Sequence, residues 1–129
     1  MSENILLDPE ALHYNPAFTQ GVIAPAGRTL YVGGQLGSDA TGRLLDGIEA
    51  QTEQAMRNVL TVLDAAGTDP AHVVKLNIYL VSGVDAGTGY AAAYKVWGEH
   101  RTAITVISTA GHARPGALVE IDAVATIPD

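Results

Sequence analysis

The spacing of apolar and polar residues changes along the chain, and each spacing predicts one type of element. Apolar residues recur at helical spacing from Ile48 to Ala66, and Gly67 is a plausible stop for that helix. Helical spacing returns over 85–100, where one stripe carries Tyr90, Tyr94 and Trp97. Strand patterns occupy the segments AFTQGVIA, RTLYVGGQ, 73–81, 103–109 and 117–126.

The predicted elements follow one another in an order typical of an α+β domain. A Pro-Gly turn joins the first two strands, and the cluster SDATG at 38–42 is a further turn. With a third, weak strand before the first helix, the order is β-β-β-α-β-α-β-β. This order predicts a sheet with two helices on one face.

The two faces of the predicted sheet differ in polarity. In the last strand, one face holds only aliphatic residues (Val119, Ile121, Ala123, Ala125), and the other is mixed (Leu118, Glu120, Asp122, Val124). In strand 73–81 we assign Val74, Leu76, Ile78 and Leu80 to one face and Val73, Lys75, Asn77, Tyr79 and Val81 to the other. Two helices cover only one face, so the mixed but largely apolar face predicts a closed cyclic oligomer that buries it.

Composition narrows the classes of function. A chain of 129 residues is expected to form a single domain, 1–129, and no run approaches the roughly 18 apolar residues of a membrane span. The first residues, MSENILLDPE, lack the basic region of a signal peptide, and there is no cysteine, so a cytoplasmic protein is expected. The net charge of −7, with seven scattered Lys and Arg, argues against nucleic-acid binding.

The histidines and the paired glycines do not match the common binding motifs. The four histidines have no metal-ligand spacing. For His112, in the TAGHARPG loop, a surface position is favoured over a place at the mouth of a pocket. Gly33 and Gly34 are not followed by the helix start or the lysine of a phosphate loop. The sequence therefore predicts neither a metal site nor a nucleotide site.

Six segments, in order, resemble the RidA/YjgF (Rid) family of imine and enamine deaminases. They are NPAFTQGV, LYVGGQLG, EAQTEQAMRNVLTVLDAAG, VVKLNIYL, YAAAYKVWGEH and RPGALVEIDAVA, and the likeness extends from about Asn15 to Ala125. The resemblance implies a chorismate-mutase-like α+β fold and a homotrimer. It also implies pockets between subunits for a small-molecule metabolite, and hydrolysis of reactive imino acids to keto acids and ammonia without a cofactor.

Carried over by position, the family's pocket is only partly present. The gapless match of EHRTAITVISTAGHARPGALVEIDAVA sets Ile104 opposite the arginine that binds the substrate carboxylate, and Glu120 opposite the water-positioning glutamate. Phe18 corresponds to a family residue with an aromatic hydroxyl, and Gly33 corresponds to a serine. In the family the backbone amides at the positions of Gly33 and Gly34 help to bind an anion. Tyr94 and Trp97 border the pocket. The loss of the arginine predicts weak or absent deamination of 2-iminobutanoate.

Several alternatives remain open at this stage. A gapped register brings Arg101 to the arginine position, and Arg114 is another candidate replacement. Glu120 is either a general base or an ion-pair partner across a subunit boundary, and the helix aromatics are either packing or pocket residues. A non-catalytic ligand-binding or protein-interaction trimer is the alternative of a different class. An endoribonuclease and a chorismate-mutase-like enzyme are disfavoured by the acidity and by the few arginines.

Overall fold

The fold is a four-stranded sheet with two helices on one face, as the sequence predicts. A computed structural model describes residues 3–129. Residues 1–2 of the predicted single domain, 1–129, lie outside this range. The elements are β1 (Ile5–Leu7), β2 (Gly21–Ile23), β3 (Thr29–Leu36), α1 (Gly47–Ala65), a 3₁₀ turn (Pro70–His72), β4 (Val73–Val81), α2 (Ala86–Trp97), β5 (Ala103–Thr109) and β6 (Val119–Thr126).

The strands of the main sheet lie in the order β3-β6-β4-β5. The pairs β3–β6 and β6–β4 are antiparallel, and β4–β5 is parallel, with α2 as the crossover. The Pro-Gly turn was predicted to join two strands, and both exist, but they belong to different sheets. β2 pairs with β1, a strand that the sequence patterns did not reveal, whereas β3 pairs with β6. Between β3 and α1, where a weak strand was a candidate, there is only an isolated bridge, Ser38 to Leu44.

The core lies between the helices and the aliphatic face of the sheet. The predicted inward residues of β6 are all buried, and they pack with residues of α1 and β4 in one cluster that includes Met56, Val59, Leu63, Leu76, Ile78 and Leu80. One assignment was wrong: Val73 is buried and Val74 is less so, because a register shift lies between Val73 and Lys75. Such a bulge changes which residue faces inward on its two sides.

Glycines end both helices. Gly67 (φ +77°) follows α1, with Gly67 N–H bonded to Asp64 O and Thr68 N–H to Leu63 O, so the predicted stop is confirmed. Gly98 (φ +83°) ends α2. In the predicted aromatic stripe only Trp97 is part of the core, whereas Tyr90 and Tyr94 are exposed.

Candidate functional site

The uncovered face of the sheet carries a set of polar side chains from three adjacent strands. On β4 and β6, Asn77 Nδ2 donates to Asp122 Oδ1 over 2.7 Å, and on β4 and β5, Lys75 Nζ donates to Thr105 Oγ1 over 2.6 Å. Tyr79 lies opposite Glu120 in the ladder, and burial, followed by the nearby charge of Asp122, raises its pKa above 10.0. Polar side chains on this face are therefore linked to one another across strands.

Glu120 and Gly34, both predicted as site residues, are in direct contact. A β-bulge lies between Val32 and Gln35 of β3, and Gly33 and Gly34 form it. A Cβ placed on Gly34 would overlap Glu120 Oε2 and would lie 2.6 Å from Glu120 Cδ, whereas a Cβ on Gly33 would meet nothing within 4 Å. The Glu120 carboxylate thus occupies space that exists only because residue 34 has no side chain. The sequence analysis identified both Glu120 and Gly34, but it could not predict that they are in contact.

His112 lies beside Glu120 as a third member of this site, a place that the sequence analysis considered but ranked below a surface position. Its side chain is only 5% exposed, so the predicted surface position is wrong. His112 Nδ1 lies 3.7 Å from Glu120 Oε1, and Nε2 is buried without a hydrogen-bond partner among residues 3–129. The only signal in the sequence was the position of His112 in the loop that leads directly into the strand of Glu120.

Gln51 fixes the end of the loop that carries His112. Gln51 is buried in α1, where its Nε2 donates to Leu45 O and Gly116 O over 3.0 Å each, and its Oε1 accepts from Leu118 N–H over 2.8 Å. Buried polar groups with all their hydrogen bonds made hold one geometry. This amide therefore sets where β6 begins and, with it, where Glu120 lies.

Within one subunit Ile104 and Glu120 lie on opposite faces of the sheet, so the predicted pocket would have to bring them together across a subunit boundary, and it stays a prediction. Ile104 pairs with Leu76 and packs on the core beneath α2, next to Met56 and Trp97. Its neighbour Thr105 lies on the Glu120 face of the sheet, as its bond to Lys75 shows. Because side chains alternate along a strand, a difference of one position moves a residue to the other side of the sheet.

Tyr94 and Trp97 also lie on the helix side. Trp97 is buried and donates from Nε1 to His100 O over 2.9 Å, which supports the packing interpretation. Tyr94 lines an open cleft of about 680 Å³ together with Tyr90, Glu99 and Arg101. The residues predicted to form one pocket therefore fall into two groups in each subunit, one at Glu120 and one beside α2.

Phe18 and Arg101 lie at the far edge of the sheet. Thr19, next to Phe18, bridges to Ala103 of β5, so β4 and β5 lie between this segment and Glu120. Arg101 binds Asp8 with both Nη atoms (3.1 Å each) and donates from Nη2 to Phe18 O over 2.7 Å. Its guanidinium holds the pKa of Asp8 below 3.8. These bonds occupy Arg101 in fastening the N-terminal segment.

The arrangement is that of a small acid–base site. Among the described residues, His, Asp and Glu form no group that could hold a metal ion. None of the described helices is both long and apolar enough to span a membrane. What the face offers is a carboxylate with one oxygen towards an imidazole and the other over a glycine, which is suited to accepting and returning a proton.

The sequence of this chain is similar to those of known proteins. Residues 9–127 match the family model described as endoribonuclease L-PSP. The 2-iminobutanoate/2-iminopropanoate deaminase of Rattus norvegicus is 32% identical over 111 residues, which cover 84% of this chain and 79% of the relative. Protein DfrA of Myxococcus xanthus is 35% identical over 114 residues, or 84% of this chain and 83% of the relative.

Solved structures resemble the whole fold. A protein of unknown function of the conserved Rid protein family, YyfB from Yersinia pestis, has a TM-score of 0.85 and 31% identity, and the match covers 97% of this chain and 99% of that one. RidA from the Antarctic bacterium Psychrobacter sp. PAMC 21119 has a TM-score of 0.72 and 30% identity, with 93% and 94% covered. The similarity thus includes the sheet, both helices and the segments that carry the candidate site.

Proposed function

The chain belongs to the RidA/YjgF (Rid) family, and from this premise we propose that it binds a small imine or enamine and hydrolyses it without a cofactor. The observation that carries the proposal is the contact between the Glu120 carboxylate and Gly34. A carboxylate that lies over a glycine bulge on a strand and is still 35% exposed can reach a bound water.

The chemistry requires one group that takes a proton and then returns it. Glu120 accepts a proton from water as the water oxygen bonds to the carbon of the protonated imine, which gives a neutral carbinolamine. Glu120 then passes that proton to the nitrogen. As the carbon–nitrogen bond breaks, the hydroxyl proton moves to Glu120, the carbonyl product forms, and ammonia leaves. Proton transfer by a positioned side chain contributes typically about 10²–10⁴-fold to a rate.

The charges of the site favour a substrate without a carboxylate. Glu120 and Asp122 attract a protonated imine, whereas neither Ile104 nor Thr105 supplies the guanidinium that would bind a carboxylate. The cation on this face, Lys75, donates to Thr105. Arg101 is occupied by Asp8 and by backbone carbonyls. We therefore propose that 2-iminobutanoate is hydrolysed no faster than a small multiple of the buffer rate, and that an uncharged or cationic imine is the better substrate.

The same proposal includes a homotrimer with the site between subunits. The uncovered face exposes Tyr31 (76%) and Ile107 (43%), apolar surface that an oligomer would bury. The division of the predicted site residues into two separate groups also supports a pocket completed by a second copy. Light scattering should give a mass of about 40 kDa, three times 13.4 kDa, and a monomer at micromolar concentration would contradict this part.

A matched pair of glycine variants tests the function. The probes are 2-iminobutanoate and propan-1-imine, its analogue without the carboxylate, each generated in the assay by an amine or amino-acid oxidase. We expect ammonia release to accelerate with propan-1-imine alone. We expect Gly34→Ala, which displaces Glu120, to lower that rate by about 10²-fold or more, whereas Gly33→Ala retains it.

The controls distinguish a catalytic from a non-catalytic protein. Glu120→Ala should lower the rate as Gly34→Ala does, while both variants keep the native oligomeric mass. If no imine is hydrolysed faster than in buffer, the non-catalytic ligand-binding or interaction trimer is the better account. Rapid turnover of 2-iminobutanoate would show that the carboxylate is bound by a residue that we have not assigned.

A further inference from the structure

We infer that His112 is a positioning residue for Glu120, an inference that rests on the function proposed above. His112 reaches the sheet from the loop between β5 and β6, and 95% of its side chain is buried. Burial of an imidazole in a loop has a cost unless its nitrogens find partners. Nδ1 lies 3.7 Å from Glu120 Oε1, an electrostatic contact that is longer than a hydrogen bond.

The two oxygens of Glu120 consequently have different surroundings. Oε1 faces the His112 imidazole, and Oε2 lies over Gly34, where the absence of a side chain leaves space. An imidazole with its proton on Nδ1 turns the positive end of that N–H towards Oε1, which favours one orientation of the carboxylate. Oε2 then remains as the oxygen that accepts the proton of the attacking water.

The surroundings of His112 Nε2 favour one tautomer of the imidazole. Nε2 is buried and has no hydrogen-bond partner in the described part of the chain. A proton on Nε2 would leave a buried donor unpaired and would turn the lone pair of Nδ1 towards a carboxylate oxygen. The structure thus assigns the proton of neutral His112 to Nδ1, with Glu120 as the cause.

Nitrogen NMR of the full-length protein labelled with ¹⁵N-histidine tests the assignment without any substrate. In the native protein we expect the His112 side-chain shifts of the Nδ1–H tautomer. We expect Glu120→Ala to shift them towards the Nε2–H form that dominates in free histidine, while Glu99→Ala, a carboxylate at the other end of the sheet, leaves them unchanged. Nε2–H shifts in the native protein, or shifts that do not respond to Glu120→Ala, would overturn the inference.

Two substitutions separate positioning from packing. His112→Asn keeps an N–H donor near the position of Nδ1, whereas His112→Leu keeps the apolar volume and removes the donor. With propan-1-imine we expect kcat to fall about 10- to 100-fold in His112→Leu at little-changed KM, and to stay within about threefold in His112→Asn. Equal losses in both variants would mean a purely structural role and would overturn the inference.

The NMR experiment and the kinetic measurements together distinguish failure of this inference from failure of the proposed function. If no imine is turned over but the Nδ1–H tautomer depends on Glu120, the proposed function fails and the pairing of His112 with Glu120 stands. If imines are turned over and the tautomer is Nε2–H, the function stands and the role of His112 is refuted.

Discussion

Replacing Ile104 by arginine should destabilise the protein rather than restore a carboxylate-binding site. Ile104 packs against the core beside Leu76 and Trp97, and the adjoining cavity of about 20 Å³ has no room for a guanidinium. Loss of a partly buried isoleucine costs about 1–2 kcal/mol. An unpaired charge in apolar surroundings adds a desolvation penalty that can reach several kcal/mol. We expect Ile104→Arg to lower the free energy of unfolding by about 3 kcal/mol or more.

The matched control lies on the same strand and on the same face. Val106 pairs with Ile78, two positions beyond Ile104, but it is 46% exposed at the open edge of the sheet. We expect Val106→Arg to cost less than about 1 kcal/mol, because exposed substitutions usually have small effects. Urea unfolding at one fixed protein concentration measures both variants, and thereby holds any contribution from assembly constant.

A binding measurement completes this test. Thr105, not Ile104, is the residue of β5 on the Glu120 face, so Thr105→Arg is the substitution that should create affinity for a keto acid such as 2-oxobutanoate. Calorimetric titration should show binding to Thr105→Arg and none to the native protein. The reasoning is refuted if Ile104→Arg is as stable as Val106→Arg and binds the keto acid, because residue 104 would then face the site.

Three further outcomes follow from other parts of the molecule. Gly37→Ala should cost about 1–3 kcal/mol in urea unfolding, because its Cβ would overlap the backbone of Gln51 and lie 2.5 Å from the Gln51 Cβ. Arg101→Met should destabilise the protein at pH 7, and the stability difference from the native protein should shrink as the pH falls below 3.8. The pKa of Asp8 is lowered when folded, so its contribution is present above that pH and is lost when the carboxylate takes up a proton. RNA cleavage should be absent from purified protein, since a net charge of −7 provides little attraction for phosphates; cleavage that co-elutes with the protein and is lost in Glu120→Ala would contradict this.

The sequence predicted best those elements in which one face is uniformly apolar. The alternation of Val119, Ile121, Ala123 and Ala125 could have only one orientation towards a core, and β6 has that orientation. The same reasoning missed the bulge at Val73–Lys75, because an extra residue in a strand leaves no signature in a run that is apolar on both sides of it. β1 was missed because three residues are too few for a period to show.

The candidate site was harder to predict, because the local spacing of apolar residues does not specify it. The alignment identified Glu120 and Gly34 by residue type, but a match of letters does not say which face a strand residue takes, so it did not reveal that Ile104 and Glu120 lie on opposite faces within one subunit. The burial of His112 arises from the path of an irregular loop, which has no periodicity to read. Contacts between distant segments, such as Arg101 with Asp8, are equally invisible to local patterns.

The position of β6 has a consequence for how the protein is made. β6 follows the other described strands along the chain, yet it lies inside the sheet and pairs with both β3 and β4. During translation β3 and β4 must therefore wait, with unpaired edges, until residues 119–126 have left the ribosome. Nascent chains are exposed to edge-to-edge association in that interval. A stop codon at position 120 removes most of β6 and separates β3 from β4, so the damage extends far beyond the strand that is lost.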